Sequence, residues 1–595
     1  SANTSAIIDE EDMKLLREEA DYWTTHLPPD YVNDAIRKEL GEEHFELMND
    51  ASGLLEGPYL RKYAERSLFC DVGSWGGVLA LHKDVLDAGL NDVLKTAYEE
   101  LAKMTAEKVD YVTEGSEGYK KYHYIQAIII TCEAIIEWAH LYANKARELA
   151  AKEENPTRKE ELEQIAEICD WVPANPPRSY WEAIQSCRFV HLAVRKENPH
   201  RPENSIGRLD QLLYDYYKAD VEAGKLDRQK AAELLGLFWL KIREGEILQI
   251  QPPATRITPG TNLPNITICG TDGKGNDQTN EISWLTLEVM RQMHLSEPAV
   301  YIRYSEGMDD DFLLYALECN KDMQGGIPAF LNDKMGAERY IARGIAPEDA
   351  YNWAASGCLS YHLDCSEHTG GSMHINQTKV LELVYNDGKD PLTGKQLGPH
   401  TGDPTTFKSF DDLYNAFIEM EKWIVEQLRK DYAVRWRVDQ EVNFQSGLGG
   451  ALLYHEAIPK GKAPSRGGCK YYSAFTGWVG DRGTTDVADA LAATKYLVFE
   501  KKAVTMQQLL DAMHANWEGY EDIHQLCLKA PKYGNDDEYV DGIFRKVIFD
   551  TQHIIESKPD PFTGEKPIPF KGAASGHIIH GLHVGALPNG RVKGQ

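Results

Sequence analysis

Strands alternating with helices between residues 260 and 360 predict an α/β protein built from parallel β–α–β units, enough of them for a barrel or a doubly wound sheet. Three observations carry this. The short apolar runs NLPNITICG, PAVYIRYS and IPAFLN are bounded by Pro and Gly and read as strands. The intervening ISWLTLEVMRQM and FLLYALECNKDM carry apolar residues at helical spacing. No internal repeat, low-complexity tract or Gly/Ser linker interrupts the chain, so one large domain is expected.

Taken in order, the first third is helical. EEDMKLLREEADYW and DAIRKELGEEHFELMND place apolar residues three to four apart, and a long helix is expected from about Tyr124 to Glu154. Pro156 and Thr157 read as the start of the next helix and Val172-Pro173 as its stop. PANPPR is a rigid connector into the helical SYWEAIQSCRFVHLAV. After the first strand TDGKGNDQTNE is a turn, and PEDAYNWAAS is expected to be a helix running into Gly357-Cys358. Beyond that, TKVLELVYNDG is helical and ends at a turn. SFDDLYNAFIEMEKWIVEQLRKDYAVRW is a long amphipathic helix capped by Ser409. RGTTDVADALAATKYLVFE and TMQQLLDAMHANWEGYEDIHQLCL supply further helices.

Composition narrows the function classes. The 595 residues are 42% apolar and 26% charged, ordinary for a globular chain, and can bury a sizeable core. A net charge of −29 argues against nucleic acid or an anionic membrane as the main partner. There is no run of 18 apolar residues, and SANTSAIIDEEDMKLL is no secretory signal. The ten cysteines are scattered, with no CxxC, zinc pattern or disulfide framework, so reduced thiols in a cytoplasmic setting are expected.

Several residue groups could carry chemistry. His577, His580 and His583 in HIIHGLH would share a helix face and could hold a metal, but Gly581 and the missing carboxylate favour local polar contacts. His362, His368 and His374 flank Cys358 without the spacing of a standard zinc site. TDGKGND and GLGGAL lack the setting and ending of a phosphate loop, and no GxSxG elbow is present. Cys358 itself reads first as a packed thiol. Ser356-Gly357 before it and the polar loop after it point to function instead, with a Cys/His nucleophile pair remaining open.

Ten segments, in order, resemble the glycyl radical enzymes of the pyruvate formate-lyase-like family. They are WVPANPPRSYWEAIQ, NSIGRLDQLLYDYY, ITICGTDGKGND, SEPAVYIRYS, GGIPAFLND, SGCLSYH, KVLELVYNDG, RGGCKYYS, APKYGNDDEYVD and ALPNGRVKG. The resemblance implies an α/β fold: a ten-stranded barrel of two parallel five-stranded halves surrounded by helices, with residues 1–595 as a single domain. Two loops meet inside. One carries the thiol that becomes a thiyl radical, here Cys358; the other carries a glycine that stores the radical. A sulfur radical needs such shelter from water and oxygen. The family's glycine-loop motif resembles RVxGY. Gly594, in RVKGQ, does not match its surroundings, so the glycine radical domain is expected to be absent from this chain and the N-terminal region incomplete.

The resemblance also orders the chemistries. Diol and amine eliminators, and hydroxyphenylacetate decarboxylases, carry a Glu two residues after the thiol; here that residue is Ser360. Formate lyases use adjacent cysteines, whereas Leu359 follows Cys358. Cys-x-Ser, LGPHTGD and NWEGYED resemble the hydrocarbon–succinate synthases, but Leu359 to Gln377 contains no Arg or Lys to grip fumarate. What remains is decarboxylation of a small aromatic acid, phenylacetate to toluene and carbon dioxide. Toluene or alkane addition to fumarate is the alternative, and a non-catalytic scaffold is the alternative of another class. Ser205 matches a substrate-contacting serine, Trp75 and Gly77 the top of the pocket, and Tyr471 and Tyr472 a further wall. Each also reads as core packing. His455 and Glu456 are candidate proton donors or ordinary loop residues. No bound cofactor or metal is implied. The implied partners are an S-adenosylmethionine/iron–sulfur activating enzyme and a second copy in a homodimer.

Overall fold

The structure, a computed structural model, describes residues 10, 14–15, 17–18, 31–42, 44–45, 83–107, 116–197, 205–244, 264–324, 326–356, 360–363, 366–369, 372–442, 456–473, 478–559, 564, 566–571 and 577–595.

The three expected strands are Asn265–Cys269 (β2), Ala299–Tyr304 (β3) and Ala329–Asn332 (β4), preceded by the short Gly207–Arg208 (β1). They form one parallel sheet in the order β1-β2-β3-β4. Helices Glu281–Met293 and Asp310–Met323 make the crossovers. Their starts are chemically specified. Asn280 and Ser283 form a reciprocal capping box, and Asp309 accepts from the Phe312 amide at 2.9 Å. Ile266, Ile268, Val300 and Ile302 turn one face of the sheet into the largest hydrophobic core, among these helices and those of the first third.

A second parallel sheet joins Ser372–Asn376 (β8), Trp478–Arg482 (β10) and Ile568–Lys571 (β11), in the order β11-β10-β8. Its core packs Val380, Leu383 and Val384 against Phe417, Met420 and Leu491. Asn332 and Asn376 each close a strand and cap the helix that follows, Asp333–Ile341 and Gln377–Tyr385. Between the two sheets in sequence lie Trp353–Ser356 (β5) and Ser360–Leu363 (β6), an antiparallel hairpin. Glu367–Thr369 (β7) follows and pairs in parallel with Tyr471–Ser473 (β9).

One expectation fails at this hairpin. PEDAYNWAAS is helical only for the turn Pro347–Ala350; Trp353 to Ser356 is a strand. The reason is tertiary. Arg303 takes the carbonyls of Tyr351 and Trp353, and Thr267 Oγ1 takes the amide of Ala355, so the helix ladder is replaced. The long early helix runs Glu117–Ala150, beginning ahead of the expected start because Ser116 caps it through the Tyr119 amide. TMQQLLDAMHANWEGYEDIHQLCL breaks into Met506–His514 and Glu521–Lys529, with Asn516 and Trp517 at positive φ between them.

Glu117–Ala150 is, among the described residues, the one helix long and apolar enough by composition to cross a membrane. Here it is a core helix. Tyr124, Ile128, Cys132, Ala139 and Ala143 are buried, and the helix packs against Leu90–Glu107 and Pro156–Trp171.

Candidate active site

Cys358 falls in the sequence between β5 and β6 of the hairpin. Gly357, Cys358 and Leu359 lie outside the described residues, but both strands leading to and from them are placed. Ser356 stands opposite Ser360, Ala355 opposite Tyr361, Ala354 opposite His362 and Trp353 opposite Leu363.

The seat beneath the hairpin is built around Arg303. A charged side chain in the middle of an apolar strand must be paired. Arg303 is fully buried and donates through Nε to Asp333 Oδ1 at 2.8 Å. Its Nη1 reaches the Trp353 carbonyl at 3.0 Å and its Nη2 the Tyr351 carbonyl at 2.7 Å. Asp333 Oδ2 in turn accepts from the Thr271 amide and hydroxyl, at 2.8 and 2.7 Å. The guanidinium also lies 4.7 Å from the centre of the Trp353 ring. Burial, and then the nearby positive charge of Arg208, push Arg303 down to about 10 against the pull of Asp333, which leaves it a cation at neutral pH.

Two glycines make this packing fit. A Cβ on Gly336 would lie 2.4 Å from the Trp353 indole, and one on Gly270, at φ +90, would lie 2.5 Å from Arg303 Nε. Arg208, adjacent on β1, donates to Asn352 Oδ1 at 3.2 Å, just ahead of β5. Thr267 on β2 accepts the Ala355 amide at 2.9 Å. Three neighbouring strands therefore each hold the stem of the hairpin by a side chain. Tyr301, Leu331, Tyr340, Trp353, Ala355 and Leu363 fill the space between sheet and hairpin, with Tyr361 edge-on to Trp353 at 4.6 Å.

The return strand is fixed as well. The Tyr340 hydroxyl donates to the Tyr361 carbonyl at 2.6 Å, and Arg343 pairs with the buried Glu367 at 2.9 Å. His362 is buried on this strand. Burial lowers it to about 4, so it is neutral at pH 7.

The expected site residues separate into three groups. Trp75, Gly77, Cys358 and His455 lie outside the described residues. Ser360 and Tyr472 are placed as backbone only: Ser360 opens β6, and Tyr472 on β9 pairs with His368 on β7. Ser205, Tyr471 and Glu456 are described in full. Ser205 is completely buried just before β1, and its hydroxyl has no hydrogen-bond partner among the described residues. Tyr471 pairs with Glu367 in the β7–β9 ladder, and its hydroxyl donates to Asp349 Oδ2 at 2.5 Å. Burial acts to raise the Asp349 carboxyl, but hydrogen bonds from Lys470 and Tyr471 outweigh it and bring it below the usual range. Glu456 is half-buried and precedes the short helix Ala457–Lys460. The structure thus brings the stretch after Cys358 beside Tyr471 and Tyr472 through β7 and β9.

Among the described residues, no three His, Cys, Asp or Glu side chains form a metal-binding group. His580 is buried in the helix His577–Leu582. Sequence reasoning missed Arg303, Asp333 and Thr267. The signal was present in PAVYIRYS, where an arginine sits inside an otherwise apolar parallel strand.

Residues 2–570 match the family model of pyruvate formate lyase-like proteins. Trans-4-hydroxy-L-proline dehydratase of Clostridioides difficile is 36% identical over 80% of this chain and 60% of its own length. The chain therefore spans less than two thirds of that relative. Isethionate sulfite-lyase of Bilophila wadsworthia is 32% identical over 99% of this chain and 69% of its own. Indoleacetate decarboxylase of Tractidigestivibacter scatoligenes is 29% identical over 99% and 67%. The crystal structure of the C. difficile hydroxyproline dehydratase, with trans-4-hydroxy-L-proline bound, superposes with a TM-score of 0.82 at 29% identity, over 99% of this chain and 71% of that one. These proteins act on unlike substrates, and the likeness to them fixes the fold as the expected α/β barrel.

Proposed function

Because the chain belongs to the glycyl radical enzymes of the pyruvate formate lyase-like family, we propose that it is a radical lyase that decarboxylates an arylacetate through the thiol of Cys358. Phenylacetate would give toluene and carbon dioxide. The observation that carries this reading is Cys358-Leu359-Ser360, a neutral hydroxyl where eliminating members hold a carboxylate base. Decarboxylation needs no such base: the bound carboxylate takes one proton from solvent, the Cys358 thiyl sulfur takes that hydrogen atom and becomes a thiol, the carboxyl radical loses carbon dioxide, and the benzylic radical takes the hydrogen atom back from the thiol, restoring the thiyl. Atoms and electrons balance as ArCH2COOH giving ArCH3 and CO2. The indoleacetate decarboxylase relative, named for an arylacetate, supports the same class.

A stored glycyl radical, installed by an S-adenosylmethionine/iron–sulfur activating enzyme, would supply the unpaired electron. The chain's own residues tie down β5, the strand that precedes Cys358 in sequence, and burial keeps His362 neutral. In this reading residues 1–595 are one barrel domain, Ser205 contacts substrate, and Tyr472 belongs to the wall beside β7. The protein works in an anaerobic cytoplasm, without nucleic acid or membrane, as a homodimer with its activase. The test is product analysis with the activated full-length protein. Phenylacetate alone is expected to give toluene. Benzylsuccinate from toluene plus fumarate, with phenylacetate untouched, would replace this reading by the synthase one.

A further inference from the structure

We propose that the Ser356 hydroxyl is a substrate-binding donor, hydrogen-bonded to a carboxylate oxygen of the organic acid on which Cys358 acts. The inference rests on the reading above and gives a role to Ser356, which the sequence marked only as part of the Ser356-Gly357 pair ahead of Cys358.

Ser356 is the last residue of β5, two before Cys358, and it is fully buried. Its Oγ has no hydrogen-bond partner among the described residues. Leaving a buried hydroxyl unpaired forfeits the hydrogen bonds it made to water in the unfolded chain. The strand cannot shift to relieve this. Its backbone is tied at Trp353 by Arg303 and at Ala355 by Thr267. Side chains alternate along a strand. Trp353 and Ala355 turn into the aromatic cluster beneath the hairpin, so Ala354 and Ser356 lie on the opposite face, where Ala354 joins the largest apolar core and offers the hydroxyl no polar partner. His362, in register with Ala354, shares that face and is buried and uncharged at neutral pH. Ser356 itself stands in register with Ser360, and Cys358 lies between the two in sequence.

An unpaired hydroxyl in this place suits an oxygen that arrives with the substrate. Its neutrality also suits a group that must leave. A bidentate arginine would stabilise the bound carboxylate in the ground state and so oppose its loss. A single hydroxyl orients the group at less cost to the reaction.

The experiment is calorimetric titration of the full-length, unactivated protein with phenylacetate, indole-3-acetate and trans-4-hydroxy-L-proline. Wild type, Ser356→Ala and Ser356→Thr are compared, with thermal unfolding of each ligand-free protein. Ser356→Ala is expected to weaken acid binding about tenfold, as loss of one hydrogen bond to a charged group predicts, without lowering the ligand-free Tm. Ser356→Thr, which keeps the hydroxyl, is expected to recover most of the affinity. Weakened hydroxyproline binding with no arylacetate bound by wild type would sink the arylacetate reading and leave this inference standing. Unchanged affinity in Ser356→Ala overturns it. So does a lowered ligand-free Tm, which would mean that the hydroxyl already has a structural partner, and so does a wild type that binds none of the three acids.

Discussion

Arg303 and Trp353 are joined twice: Nη1 of the arginine donates to the tryptophan carbonyl at 3.0 Å, and the guanidinium lies 4.7 Å from the centre of the indole ring. This couples β3 of the barrel wall to the strand that leads into the Cys358 turn. In the proposed chemistry the sulfur of Cys358 needs a fixed position more than neighbours of any one chemistry, and the Arg303–Trp353 pair fixes β5, the strand that precedes it in sequence.

Removing Arg303 should therefore do more than delete a cation. Arg303→Met leaves the buried Asp333 without its counter-charge, held only by the Thr271 amide and hydroxyl, and breaking a buried pair typically costs about 3–5 kcal/mol. Urea unfolding is expected to show a loss of this size. Arg303→Lys should recover little, because one ammonium cannot serve Asp333 and the two carbonyls together. The double variant Arg303→Met/Asp333→Asn should be less damaged than Arg303→Met alone.

Glycine substitutions separate packing from propensity. In Gly336→Ala the new Cβ meets the Trp353 indole at 2.4 Å, and overpacking of this kind costs about 1–3 kcal/mol. Gly542→Ala, in the helix Glu538–Glu556, meets nothing nearer than Glu538 Oε1 at 3.6 Å. Helix propensity predicts that it stabilises by up to about 1 kcal/mol. Opposite shifts in Tm check both.

Tyr471 straps the two sides of the hairpin. β9 holds β7, which follows the hairpin, while the Tyr471 hydroxyl reaches Asp349, which precedes it. Tyr471→Phe is expected to lower kcat several-fold with KM little changed, since the strap holds the segments on either side of the hairpin rather than substrate. A raised KM at unchanged kcat would instead make Tyr471 a substrate contact.

His362 sets a pH dependence whose sign follows from burial. Its folded value of about 4 lies below the ordinary 6.5, so the unfolded chain binds the proton more readily. Stability contributed by the neutral ring is fully present above pH 6.5 and is lost progressively as pH falls from 6.5 towards 4. The loss across that window is on the order of 3 kcal/mol. Unfolding free energies between pH 7 and 4 should show the slope, and His362→Gln should flatten it.

The sequence made some of this architecture legible and hid the rest. β2, β3 and β4 were readable because a buried parallel strand is a short apolar run closed by Pro or Gly. The strand Trp353–Ser356 was not, since Trp-Ala-Ala-Ser follows a helix-starting Pro-Glu-Asp and local propensity favours continuing the helix. What overrides it is the side-chain reach of Arg303 and Thr267, from residues far away in sequence. Tyr471 and Ser205 were singled out through resemblance alone. Ser356 stood out in the sequence only as half of the Ser356-Gly357 pair before Cys358; the burial of its unpaired hydroxyl is what gives it a role of its own.

The account turns on hydrogen passing to and from the sulfur of Cys358, and a solvent-isotope experiment reads this directly. Thiols exchange with water, so the activated full-length protein turning over phenylacetate in D2O should release toluene with one deuterium in its methyl group, and Cys358→Ser should release none. Unlabelled toluene, or continued turnover in Cys358→Ser, would contradict it.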